Sequence, residues 1–286
     1  MAQRRGGCFF FLLVIFIGAA MVVEDEAPSN NWQANPRRPD LAQGHGAPLP
    51  GVEPVPESQI FPATLPEFGI ADRGRPQDSQ GTGFAVSPDG IWLTAEHVVT
   101  GCDRVGLATG PNSAERVGQI FESRVSDAAA IAGGARTATT LALSPVMPRE
   151  GDDGYHMGFP SGQPAVVHSR FMGRGNAVHP GRSEPVLAWA EIERFPDFEH
   201  GLGGISGGPT LDVRGRVIGI NSAAGERRGR VLTTVPEAAS GLLQAARLQS
   251  VSQPPGPIAN AAAAVARFQN LIVSGAIRQV YCDVNE

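Results

Sequence analysis

Cysteine is scarce in this chain, with three residues in 286. So few exclude a disulfide-dense scaffold. Metal-type spacing is missing as well. His45, His156, His168, His179 and His200 stand at no interval from cysteines or carboxylates that would hold an ion, so neither a metal nor a cofactor is expected. Positive charge is in short supply: 23 Lys and Arg against 28 Asp and Glu give a net charge of −5, which argues against a nucleic-acid partner. Residues 24–78 lack any hydrophobic period, so they cannot bury enough surface to order themselves.

What the chain does have is apolar residues, 42% of it, together with 36 Gly and 24 Pro. That composition suits turn-rich all-β structure plus a linker. Residues 8–23 are uncharged and apolar, preceded by Arg4 and Arg5 and followed by Glu24, Asp25 and Glu26. The asymmetry places the N-terminus in the cytoplasm and the body outside it. The run falls short of the roughly 20 residues of a comfortable span. It therefore reads as a signal peptide, with Gly18-Ala19-Ala20 as cleavage site, or as a short retained membrane anchor.

The most informative segment is Gly204-Ile205-Ser206-Gly207-Gly208-Pro209. Glycine allows turn geometry that other residues resist, and such a turn can aim the N–H groups of Gly204 and Ser206 at one point. The charge of an acyl-transfer intermediate would develop there. A lone serine is a poor nucleophile and needs a base and an orienter. Phe84-Ala85-Val86 and Ile91-Trp92-Leu93-Thr94 read as two strands joined by Ser87-Pro88-Asp89-Gly90, a hairpin turn with its own chemistry. His97 follows directly. Asp127 lies among small apolar residues that would bury it, free to hold one ring nitrogen of His97.

The chain resembles trypsin-like serine proteases of the chymotrypsin fold, the bacterial Deg/HtrA-type branch above all. The resemblance rests on Gly81-Thr82-Gly83-Phe84, Asp89-Gly90 and Leu93-Thr94-Ala95-Glu96-His97-Val98-Val99, on Asp127-Ala128-Ala129-Ala130-Ile131, on Gly158-Phe159-Pro160-Ser161-Gly162, and on the Ser206 segment through Asn221. Ile205 stands where the family usually has Asn, and Glu96 replaces a small or amide residue and is expected to point to solvent. The resemblance implies a double β-barrel protease, catalytic His97, Asp127 and Ser206, and an oxyanion hole of Gly204 and Ser206. It also implies His200, Asn221 and Ser222 as candidates for the primary specificity pocket. The reaction implied is endopeptidase cleavage of protein or peptide substrates outside the cytoplasm. The competing reading is an inactive protease-like module for binding or sensing.

The expected organisation is a leader over 1–23, a linker over 24–78 and a protease domain over 79–249, its barrels near 79–148 and 150–236. Part of 57–70, with Ile60, Phe61, Leu65, Phe68 and Ile70, is expected on the barrel. Strands are expected at 116–121, 164–171, 186–192, 211–213 and 216–221, and a closing helix at 237–248. No PDZ module is expected; residues 250–286 read instead as a helical extension, with an apolar helical pattern over 258–280. Cys8 lies within the apolar run. In an oxidising compartment Cys102–Cys282 is then the natural pair, the alternative being two buried free thiols.

Overall fold

The computed structural model describes residues 65–70, 77–110, 113–179, 181–224 and 229–284. The leader over 1–23 and the linker through residue 64 lie outside them. In chain order the described elements are β1 (Glu67–Gly69), β2 (Ser79–Ser87), β3 (Ile91–Thr94), α1 (Glu96–Val99), β4 (Arg104–Gly110), β5 (Ser113–Arg116), β6 (Gln119–Glu122), β7 (Ala129–Ala132), β8 (Asp153–Gly158), β9 (Ala165–His179), β10 (Arg182–Phe195), β11 (Pro209–Leu211), β12 (Val217–Ala224), β13 (Arg230–Thr234), α2 (Pro236–Ala245), α3 (Ala261–Val273) and β14 (Ile277–Asp283).

Two seven-stranded sheets result. The first runs β5-β4-β14-β2-β3-β7-β6. The second runs β1-β9-β10-β13-β12-β11-β8, and β8 also pairs with β9, which closes six strands into a ring. Closure leaves those strands no free edge. β1 adds to the ring in parallel on β9, with Phe68 and Ile70 packed beside Ala177 and Val186; Leu65 is exposed. This is the two-barrel arrangement that the resemblance implies.

A common apolar core joins the sheets. Phe84 and Leu93 enter it from the first, Met157 and Leu211 from the second, and Val265, Phe268 and Leu271 from α3. Each such side chain contributes about 1.5–3 kcal/mol relative to leaving it in water.

Three sequence expectations need correction. The strand expected at 116–121 is two strands, because the chain folds over at Val117-Gly118; β5 then pairs with β4 and β6 with β7. The closing helix ends at Ala245, where Ala246 caps it and Arg247 turns to φ 57. The tail is not helical throughout. α3 is capped at its start by Asn260, whose side chain accepts from the Ala263 N–H at 2.9 Å. It ends before Gly275, whose φ of 70 lets the Gly275 and Ala276 N–H groups return to the Ile272 and Leu271 carbonyls. Residues 277–283 then become β14, an interior strand of the first sheet, with Ile277 opposite Phe84 and Val280 opposite Leu107.

Candidate active site

β3 and β7 set the position of His97. Thr94 pairs with Ala129, so the residues just beyond each strand end meet, and these include His97 and Asp127. The His97 backbone N–H donates to Asp127 Oδ1 at 3.0 Å, and its Nδ1 lies 2.7 Å from Oδ2. Ser222, on β12 of the other sheet, donates its hydroxyl to the same Oδ2 at 2.6 Å. The carboxylate is buried at 1% exposure. Burial alone would raise its pKa. The charge and hydrogen bonds of His97, with that of Ser222, outweigh burial and hold the carboxyl well below the usual range. The carboxylate thus grips both the backbone and the ring of His97, whose side chain keeps 18% exposure.

The Ser206 turn has the backbone its glycines permit. Gly204 sits at φ 102 and Gly207 at φ 86. A Cβ on Gly204 would stand 2.4 Å from the Phe159 carbonyl oxygen, and one on Gly207 would stand 2.2 Å from that of Thr82. The turn is tied to the first sheet by Thr82. Its N–H donates to the Ser206 carbonyl at 2.8 Å and its hydroxyl to the Gly204 carbonyl at 2.7 Å. The Thr82 hydroxyl oxygen in turn accepts from the Phe159 N–H at 3.2 Å. Among the described residues, the N–H groups of Gly204 and Ser206 have no hydrogen-bond acceptor. The Ser206 hydroxyl donates to the Ser222 carbonyl at 3.4 Å, and no hydrogen bond joins it to His97.

The remaining candidates are placed differently from expectation. Ser222 bears on Asp127 through its side chain. Asn221 is 1% exposed and belongs to a buried network behind the turn. Its Oδ1 lies 2.9 Å from His156 Nδ1 and accepts from the Thr210 hydroxyl at 2.7 Å, while His156 Nε2 meets the Ser169 hydroxyl. Burial in this network pushes the His156 imidazole down to about 4. His200 is exposed, with Nδ1 3.2 Å from the Ser161 hydroxyl and its ring stacked on Phe198. Ile205 is buried with Leu187 and Trp189. Glu96 does not face solvent but pairs with Arg182 Nη1 at 3.0 Å.

Cys102 and Cys282 are joined in a disulfide. Cys102 lies three residues past α1 and Cys282 lies on β14, opposite Val105 of β4. The bond therefore staples a strand, where a helix was expected, beside the turn that carries His97.

Sequence reasoning missed Thr82 as the anchor of the turn and Ser222 as a partner of Asp127. Thr82 was visible as the middle residue of Gly81-Thr82-Gly83, in a motif already singled out. Nothing in the sequence couples Glu96 to Arg182, since one opens α1 and the other opens β10, far along the chain.

Residues 81–220 match the family described as a trypsin-like peptidase domain. The chain is 30% identical over 199 residues to a probable periplasmic serine endoprotease, DegP-like, of Pseudomonas savastanoi pv. phaseolicola, which covers 68% of this chain and 39% of that protein. It is also 30% identical over 146 residues to the serine protease Rv3671c of Mycobacterium tuberculosis, covering 49% of this chain and 35% of the relative. The chain thus spans about two-fifths of the length of these curated relatives. The crystal structure of the active form of the mycobacterial protease matches with a TM-score of 0.50 at 21% identity, over 72% of this chain and 96% of that one. The fold is the chymotrypsin-like double β-barrel.

Proposed function

We propose, from the premise that the chain carries a trypsin-like peptidase domain over residues 81–220, that it is an extracytoplasmic serine endopeptidase acting through an acyl-enzyme at Ser206. The observation that carries this reading is the buried Asp127 carboxylate gripping His97 at 2.7 Å beside a turn with two open N–H groups. Asp127 accepts from Nδ1–H, which leaves Nε2 as the unprotonated base. Ser206 Oγ attacks the scissile carbonyl carbon while His97 takes its proton. The carbonyl oxygen gains charge against the N–H groups of Gly204 and Ser206. Collapse breaks the C–N bond, and His97 returns the proton to the leaving amine. Water, activated by the same imidazole, then hydrolyses the ester and frees Ser206.

The substrates in this reading are peptides or proteins. A location outside the cytoplasm is supported by Arg4 and Arg5 ahead of the apolar run and by the word periplasmic in the name of the Pseudomonas relative. Membrane attachment follows if residues 8–23 are retained. A second reading, a protease-like binding module, draws on the Ser206 hydroxyl resting on the Ser222 carbonyl.

Fluorophosphonate labelling of the exported protein decides between them. Label is expected on Ser206, lost in Ser206→Ala and slowed by several orders of magnitude in His97→Ala. An unlabelled wild-type protein would leave the binding module as the better account.

A further inference from the structure

The facing ends of β9 and β10 bring a second group of titratable side chains together beside α1. Arg182 and Glu184 open β10, and His179 closes β9. Arg182 reaches from the second sheet to α1, with Nη1 3.0 Å from Glu96 Oε2. Its Nη2 lies 3.1 Å from Glu184 Oε2, and His179 Nε2 is 3.0 Å from Glu184 Oε1. Glu96 immediately precedes His97, and Glu184 is buried at 1% exposure. Burial, and the nearby Asp127 carboxylate, raise the Glu184 pKa, while His179 and Arg182 oppose that rise. One guanidinium therefore stands between two carboxylates that flank the His97–Asp127 pair.

We infer that Arg182 is a positioning residue: it ties β10 of the second sheet to α1, and it offsets the negative charge of Glu96 and Glu184 so that His97 can take the Ser206 proton. This rests on the reading of His97 as the base for Ser206. Asp127, ahead of β7, holds His97 directly; Glu96 on α1 precedes it in the chain, and Glu184 of β10, held by His179 and Arg182, acts on the Asp127 carboxylate. Glu122 of β6 lies farther along, held by the Thr100 hydroxyl. Removing Arg182 leaves the negative charge of Glu96 uncompensated. That charge favours the imidazolium, which cannot take a proton from Ser206. Removing Glu96 takes one negative charge away from beside His97 and acts the opposite way.

The test is the pH dependence of the fluorophosphonate labelling rate of the full-length protein, whose acidic limb reports loss of the free base. In Arg182→Gln the limb should move to higher pH by roughly half to one unit, the size expected of one partly screened charge. In Glu96→Gln it should move to lower pH by a similar amount. Glu96→Gln/Arg182→Gln should return it close to wild type. Opposite shifts that cancel cannot come from a purely structural defect, which changes rate and melting temperature without ordering the limbs by charge. If Arg182→Gln does not fold, Glu96→Gln alone decides. A limb that stays put there, or that moves the same way in both single variants, overturns the inference. A wild-type protein that is never labelled at Ser206 overturns the underlying reading and this inference with it.

Discussion

Thr82→Val is the most searching single change in the site. Thr82 is fully buried, and its hydroxyl holds two backbone groups: it donates to the Gly204 carbonyl at 2.7 Å and accepts from the Phe159 N–H at 3.2 Å. Valine keeps the shape and deletes both bonds. Each buried polar group left without a partner costs about 1–3 kcal/mol, so the pair costs about 2–6 kcal/mol. In a domain of this size 1 kcal/mol moves the melting temperature by about 2–4 °C, so a fall of at least about 4 °C is expected. The functional effect should be larger in proportion. The Gly204 carbonyl anchors the turn that presents the two open N–H groups, and a shift of about 1 Å there is worth about 100-fold in rate. Thermal unfolding and the fluorophosphonate labelling rate, measured together, give both numbers. Thr82→Ser keeps the hydroxyl and should label close to wild type. The reasoning is refuted if Thr82→Val melts within about 2 °C of wild type and labels at the same rate.

Gly204→Ala should abolish labelling and lower the melting temperature, because a Cβ at φ 102 would meet the Phe159 carbonyl at 2.4 Å; a labelled, stable variant would contradict that geometry. The His156 ring resonances should not titrate until the pH nears about 4, and a midpoint near the ordinary value of 6.5 would contradict the buried network. Since the folded value lies below the unfolded one, the stability this residue contributes is full above about 6.5 and is lost as the pH falls through about 4. Reduction of Cys102–Cys282 opens a loop with a sequence separation of 180, worth about 5 kcal/mol in the chain-entropy model. Amide exchange in β14 should quicken first, and alkylation of both cysteines without prior reduction would remove the bond from the exported protein.

Legibility in the sequence followed the range over which each signal acts. The hairpin of β2 and β3 could be read because its turn chemistry is local, and the structure pairs Phe84 with Leu93 as expected. His97, Asp127 and Ser206 could be named because motif surroundings identify residues far apart in the chain. β14 could not. Ile277 and Val280 continue the three-residue spacing of Val265, Phe268 and Leu271, so the apolar pattern alone prolongs the helix. Gly275 was the stop signal, and it was outweighed by that periodicity. Resemblance alone puts Asn221 and Ser222 in one pocket, yet adjacent residues on a strand face opposite ways. Their side chains go to His156 and Asp127, and only the register of β12 reveals this.

β14 also bears on when the site can assemble. It lies between β2, which carries Thr82, and β4, which follows Cys102. Until residues 277–283 arrive, the facing edges of those two strands lack the partner they have in the finished sheet. The pairing of Ile277 with Phe84 spans most of the described chain, and contacts so distant in sequence form slowly. A chain emerging from its N-terminus therefore carries His97, Asp127 and Ser206 well before the strand that completes their support. In the proposed reading, Ser206 gains its full reactivity only once β14 has paired with β2 and β4. Labelling of chains halted before residue 277 offers a direct measure of that delay, and fully reactive Ser206 in such chains would show that there is none.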